Sequence, residues 1–575
     1  MIKRTLALLA LSATLAACSY EDAPIASAGD TAAVAASSGA VSSADHRANA
    51  AGEAILAKGG SAVDASIAVM LALTVVEPQS SGIGGGGFMV HASNSADVTT
   101  YDGRETAPAT ATGTRFLDKE GKRLPREQRV LSGLSVGVPG NIAMAAKAHG
   151  EHGKLPWAEL FAPAIALAED GFLMNKRLNG SLSGRNKGRA GLTAEARAIY
   201  FGADGEPLPV GTRIRNSDLV ESLKDMAESG PEALYQRNAA GLAKEIAEKT
   251  PQDGKMTTAD ITSYKAKNRD AVCGKYRTYT VCGMGPPSSG GVAVIQMLGQ
   301  LERFDLAALG PDNPATWHLF LESQRVAYAD RALYIGDSDF VSVPVAGMID
   351  QRYIASRSAL IDPAARITDL KAGTPPGVKV ARAIGDEPDE NGTSHFSVAD
   401  AEGNVVSYTS TIEGAFGSGL MFGGFYLNNE LTDFSATPQR DGVAIANRVE
   451  GGKRPRSSMA PTVVFDASGE PYLVIGAAGG PTIPVQTARS IIGVIDFNMS
   501  AKEALALPLI MGFGSSVVSE ESGAIAGMQD ALKALGHPEL RLSSPPLKAN
   551  ALLRTENGWE VAMDPRIDPL LTTTP

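Results

Sequence analysis

Apolar residues recur along this chain with two different periods. In HRANAAGEAILAKGGSAVDASIAVMLALTVVEP they fall at helical spacing and are interrupted at Gly59-Gly60, which predicts two helices. The run Ala65 to Val76 is apolar on every side and only twelve residues long. That suits a buried core helix and falls short of the about 20 residues a bilayer span needs. Helical spacing returns in NIAMAAKAHG, AELFAPAIALAEDG, GVAVIQMLGQLERF, TWHLFLESQRVAYADRALY and QTARSIIGVI. Between them FMVHAS, TYTVCGM, HFSVAD, VVSYTSTI, TVVFDAS and YLVIGAA alternate or run apolar between Gly, Asp and Asn, as strands do. Mixed strands with helices at both ends predict an α+β protein, its sheet layers sandwiched by helices.

Composition adds scale and a few exclusions. With 575 residues, 44% of them hydrophobic, the chain can bury a large core, although length alone leaves the domain count open. A net charge of −11 without a basic stripe argues against nucleic acid as a partner, because phosphate neutralisation needs clustered Lys and Arg. The seven histidines form no metal-ligand spacing, so no metal or other cofactor is expected.

The amino terminus reads as an address. Lys3 and Arg4 precede the apolar run Leu6–Leu11, and small residues lead to Leu15-Ala16-Ala17-Cys18. This resembles a bacterial lipoprotein signal over residues 1–17, which implies export and diacylation of Cys18, with Ser19 favouring the outer membrane. An ordinary signal peptide with an incidental cysteine is the alternative. Residues 18–44, rich in Ala and Ser without periodicity, read as a flexible tether.

The remaining cysteines are Cys273 and Cys282, in VCGKYRTYTVCG. If Arg277 and Thr278 form a two-residue hairpin loop, the cysteines face each other at a non-hydrogen-bonded pair, within disulfide range. An exported protein would oxidise them. Two thiols with no histidine nearby make half a zinc site at best.

Two short motifs were candidates for chemistry. GIGGGG, Gly82–Gly87, satisfies a dinucleotide pattern but precedes a strand, the reverse of the order that sets phosphates on a helix N-terminus. GLSVG, Gly133–Gly137, matches the serine nucleophile elbow, with His318, His395 and His537 as possible partners of Ser135; such patterns are frequent in a chain with 62 glycines.

DEPDENGTSHFSV is more informative. An acidic, solvated stretch with an Asn-Gly pair turns without a linker into the alternation of a strand. A surface turn before a hairpin strand is one reading. The other is chemical: an internal threonine hydroxyl is a poor nucleophile, whereas an amino-terminal threonine carries its own base. Cleavage between Gly392 and Thr393 would place that amine at the head of the strand.

NGTSHFSVADAEGNVVSYTSTIEGAFGSG, YLNNELTDFSA, GGKRPRSSMAPTVVF and GAAGGPTI, with GGSAVDA, VVEPQSSGIGGGGFM, YDGRETAPA and MGPPSSGG upstream, together resemble the γ-glutamyltranspeptidase family of N-terminal-nucleophile hydrolases. The resemblance runs in one order from about Ala48 to the C-terminus. It implies a four-layer αββα sandwich and a precursor cut into a large subunit, 45–392, and a small catalytic subunit, 393–575, which together form one folded unit. The implied activity is transfer of γ-glutamyl groups from glutathione or related donors to water or to an amino-acid or peptide acceptor.

Carried over by motif, Thr393 is the nucleophile, Thr411 orients it, and the backbone N–H groups of Gly479 and Gly480 receive the oxyanion. Arg104, Ser457 and Ser458 would hold the substrate α-carboxylate, and Glu413, Glu430 and Asp433 its α-ammonium. Glu413 departs from members that carry an amide there. The segment FSATPQRDGVAIANRVEGG lacks the aromatic residue that caps the site in lidded members, which implies an open pocket and brings glutaryl-cephalosporin-acylase-like or poly-γ-glutamate-processing activity into view. An inactive, lipid-anchored binding protein of the same fold is the reading from another class.

Overall fold

Alternating segments from distant parts of the chain assemble into two six-stranded antiparallel sheets in the computed structural model, which describes residues 39–94, 97–386, 392–513, 516–521, 524–543 and 548–574. Residues 1–17, read above as a signal, and Cys18 lie outside the described residues. Across the first sheet the strands run Ala40–Ser42, Ser394–Ala399, Val405–Thr411, Gly86–Ala92, Val98–Asp102 and Lys267–Arg269. Across the second they run Gly558–Met563, Lys548–Thr555, Pro471–Ala478, Thr462–Phe465, Tyr279–Gly283 and Val272–Tyr276. The sheets pack face to face, the Ser394–Ala399 strand lying against Pro471–Ala478 and Lys548–Thr555. Helices cover the outer faces, giving the αββα sandwich.

The period of two decides what each strand offers to either side. Phe396, Val398, Val406 and Tyr408 point outward into a core shared with the helices His46–Ala57 and Ala62–Val76. All fifteen residues of the second helix are buried, as its largely apolar sequence requires, and the one carboxylate among them, Asp64, closes the first turn in a capping box with Ser61. Each large apolar side chain so buried contributes about 1.5–3 kcal/mol. On the second sheet Val463, Val474, Ile475 and Leu552 belong to a core that also holds residues of helices Gly290–Leu301, Pro314–Tyr334 and Ile483–Ile495.

Between the sheets the contacts are unusually polar. Ser397 Oγ donates to the Val474 carbonyl, Ser407 Oγ to the Ile475 carbonyl, and Asn550 Nδ2 to the His395 carbonyl. His395 itself is buried, with Nδ1 2.9 Å from Thr409 Oγ1, and burial drives its pKa down to about 3, so the ring is neutral.

One expected boundary is corrected. The tether does not extend to Ala44: Ala40–Ser42 is a buried edge strand paired with Ser394–Ala399, and Ser42 Oγ donates 2.7 Å to the Ala562 carbonyl of the other sheet. Val41 adds to the pairing by packing into the core under the first sheet, while Ala40 and Ser42 turn toward the other side. Asp45 then caps the first helix. In the Cys273–Cys282 hairpin Arg277 and Thr278 form the turn, the two cysteines are directly opposed, and their sulfurs are bonded with Cα atoms 4.1 Å apart.

Candidate active site

Two strand ends converge at the centre of the sandwich. Because Ser394 pairs with Ser410, the preceding Thr393 lies opposite Thr411, and their hydroxyls are 3.1 Å apart. Thr393 Oγ1 donates to the carbonyl of Gly392, and Thr411 Oγ1 reaches that same oxygen at 3.1 Å. Two hydroxyls thus converge on the peptide preceding Thr393, and Thr393 is 4% exposed. Thr411 is oriented by a 2.8 Å hydrogen bond from the Glu413 N–H. The Glu413 carbonyl in turn accepts from Gly392 N at 2.6 Å, and Glu413 holds a left-handed backbone with φ of 72°. This packing explains the glycine before the threonine: a Cβ at position 392 would lie 2.6 Å from the Glu413 oxygen.

Gly479 and Gly480 sit where the strand Pro471–Ala478 ends and helix Ile483–Ile495 begins, with φ of 125° and 57°. Both values lie in the region that favours glycine. The turn is braced from below: Thr482 Oγ1 donates to the Gly479 carbonyl, and Gln486 Nε2 donates to both Thr482 Oγ1 and the Ala478 carbonyl, each at 2.8 Å.

Arg104 lies at the bottom of a charged cluster, 1% exposed. Its guanidinium pairs with Glu430 and, at 2.5 Å, with Asp433 Oδ2, while Nε and Nη2 also donate to the carbonyls of Pro455 and Arg456. The fork expected to face a carboxylate therefore engages the two acids in this structure. Asn429 Nδ2 donates to Glu413 Oε2. Desolvation, with Glu430 and Glu413 nearby, raises the Asp433 pKa despite the pull of Arg104. The neighbouring Glu105, absent from the sequence reading, is fully buried, and desolvation pushes its carboxyl up to about 8. Its position directly after Arg104 was the one hint the sequence held. Glu430 and Asp433 share the Arg104 guanidinium, and a second one, Arg189, is drawn toward Glu413.

Ser457 and Ser458 follow directly on the carbonyls that hold Arg104. Ser457 Oγ accepts from Met459 N at 3.1 Å, and Ser458 Oγ accepts from Arg331 Nη2 at 2.8 Å, leaving each hydroxyl proton available to an anion. Arg331, on helix Pro314–Tyr334, is a second residue the sequence reading missed. The lid-like segment carries a small exposed hairpin, Gln439–Arg440 with Val443–Ala444, turned at Asp441-Gly442.

The alternative triad does not form. Ser135 is buried and donates to the carbonyls of Val130 and Ser132, while His318 pairs with His537 and His395 lies between the sheets. The Gly82–Gly87 run leads straight into the strand Gly86–Ala92.

Comparison with known proteins points one way. The family model described as Gamma-glutamyltranspeptidase matches residues 48–569. The glutathione hydrolase proenzyme of Bacillus subtilis strain 168 is 38% identical over 510 residues, 87% of this chain and 85% of that protein. The acylase ACY 1 proenzyme of Pseudomonas sp. strain V22 is 35% identical over 519 residues, 89% of each chain. Among solved structures, the cephalosporin acylase from Bacillus halodurans superposes with a TM-score of 0.81 at 25% identity, covering 96% of this chain and 98% of that one.

Proposed function

The chain belongs to the gamma-glutamyltranspeptidase family, and on that premise we propose that Thr393 acts twice, first in cutting its own precursor and then in γ-glutamyl transfer. The enzyme takes γ-glutamyl groups from glutathione-type donors and passes them to water or to an amino acceptor. In the first step Thr393 Oγ adds to the Gly392 carbonyl carbon, the C–N bond breaks, and the acyl group moves from nitrogen to oxygen. Water then hydrolyses the ester, freeing a carboxylate on Gly392 and an α-amine on Thr393. In the second step that amine takes the Oγ proton as Oγ adds to the substrate γ-carbonyl. The tetrahedral oxyanion is received by the N–H groups of Gly479 and Gly480, where loss of one donor typically costs about 100- to 1,000-fold in rate. Collapse expels the leaving amine with the proton, and water or an acceptor amine releases the acyl group.

The observation that carries this reading is the convergence of Thr393 and Thr411 hydroxyls on the Gly392 carbonyl. Thr393→Ala has no oxygen to receive the acyl group, so it is expected to remain one chain where wild type yields two, the smaller beginning Thr-Ser-His-Phe. Gel electrophoresis with amino-terminal sequencing reads this; a single chain in active wild type overturns the mechanism.

The charged cluster favours an α-amino donor. Glu413, Glu430 and Asp433 would gain a counter-ion from the substrate ammonium, while its carboxylate draws on Arg104, Ser457 and Ser458. The acylase relative supports a second reading, in which a glutaryl amide is the donor. A glutaryl group brings no ammonium, so γ-glutamyl anilides should exceed glutaryl anilides in kcat/KM; the reverse order would select the acylase. We place the site on an exported chain, tethered through lipid on Cys18. No helix among the described residues is long and apolar enough to cross a membrane.

A further inference from the structure

A cation stands beside the candidate nucleophile without belonging to any of the motifs discussed above. Lys548 opens the strand Lys548–Thr555 and pairs with Ala478, the residue before the Gly479-Gly480 turn. Its Nζ donates to the main-chain carbonyl of Thr393 at 3.1 Å and to Ser80 Oγ at 2.8 Å. Its own N–H is 3.3 Å from Gln486 Oε1, the side chain that braces the glycine turn. Two other charged groups act on it: Arg177 repels it, and Glu77 attracts it. These form their own pair at 2.6 Å, and Glu77 Oε2 accepts from Ser394 Oγ, immediately after Thr393.

We propose that Lys548 is a positioning residue for the nucleophile: its ammonium fixes the main chain of Thr393 and, through like-charge repulsion, keeps the α-amine of Thr393 in the free-base form that accepts the Oγ proton. The inference rests on Thr393 becoming an amino terminus, and it is independent of which acyl donor the enzyme prefers. The amine and carbonyl of one residue are neighbours, so a cation hydrogen-bonded to the carbonyl lies within roughly 4–6 Å of the amine, a range over which charges shift one another's titration. An unperturbed α-amine, with a pKa of about 7.7–8, is mostly protonated at neutral pH, and only its minor free-base fraction can accept the Oγ proton. Burial, assisted by Arg177, lowers the Lys548 pKa toward the range in which an α-amine titrates, so which group keeps the proton is decided by its hydrogen-bond partners. Lys548 holds two acceptors for its proton, the Thr393 carbonyl and Ser80, and these favour placing it there.

The test compares Lys548→Met, which removes the charge, with Lys548→Arg, which keeps it. Both are first checked for cleavage into two chains, and kcat/KM is then measured from pH 5 to 10 on whichever anilide wild type turns over. In Lys548→Met the acid limb should move up by on the order of one pH unit, so that activity at pH 6 falls about tenfold further than at pH 9. Lys548→Arg should restore the wild-type limb. An unmoved limb in Lys548→Met, or an equal loss at every pH, overturns the proposal. An uncut wild-type chain would instead defeat the catalytic reading itself, and the gel separates the two failures. Should Lys548→Met not accumulate, Lys548→Gln keeps a hydrogen-bond donor without the charge and carries the same comparison.

Discussion

Arg104 shows how much of a residue's role is written by its neighbours. Alone in the sequence it reads as a carboxylate fork; in the fold it also neutralises Glu430 and Asp433, both buried beside it. Lysine at this position keeps the charge but cannot reach both acids and a substrate in one plane. Arg104→Lys should therefore raise KM for a γ-glutamyl anilide by about 10- to 100-fold, the loss of one or two charge-assisted hydrogen bonds, while precursor cleavage persists. Initial rates and a gel read both; unchanged KM with a lost kcat would contradict it. The meeting of Thr393 and Thr411 was legible because a motif fixed both residue types, and so was the left-handed turn at Gly479-Gly480. Glu105, Arg331 and Lys548 were not, since each draws its meaning from burial against segments remote in the chain.

At the scale of elements the legible parts were those whose patterning is self-sufficient. The apolar run Ala65 to Val76 marked a core helix, which begins three residues earlier at Ala62, and the two-residue spacing between Tyr276 and Tyr279 set the register that opposes Cys273 and Cys282. The edge strand Ala40–Ser42 escaped notice because it is three residues long with a single valine in an Ala- and Ser-rich stretch, and it pairs with a partner more than 350 residues away. Strand ends matter most at the cut. The turn at Gly392 is sealed against the Glu413 carbonyl, and a Cβ there would lie 2.6 Å from that backbone oxygen, so Gly392→Ala must displace the scissile peptide. Self-cleavage should slow by about 10- to 100-fold, because small misplacements of reacting atoms are costly. Time courses of fragment appearance after expression test this, and a wild-type half-time would remove the steric account.

For the whole molecule, the polar seam between the sheets makes stability depend on pH. His395 is held neutral at a pKa of about 3 against an ordinary 6.5, so below pH 6.5 the unfolded chain binds a proton that the folded chain refuses. Folding stability from this group is thus complete above pH 6.5 and falls by about 1.4 kcal/mol per pH unit down to about pH 3. Glu105 has the opposite sign: folded, it keeps its proton up to about pH 8, so its contribution declines as pH rises from about 4.5. In urea melts of the uncut Thr393→Ala chain between pH 4 and 7, adding His395→Asn should give a shallower acid slope; equal slopes would remove His395 from the account. The seam has a further consequence through the way strands interleave. Each sheet contains strands from both sides of the Gly392–Thr393 peptide, so cutting that bond releases no separable piece. What changes is the order of the folding reaction. An intact precursor finds its structure as a single molecule, whereas two severed polypeptides must meet before they can fold, at a rate set by their concentration. In the proposed maturation the cut works as a ratchet: refolding of the severed enzyme slows as it is diluted, and its lifetime comes to depend on the barrier to opening.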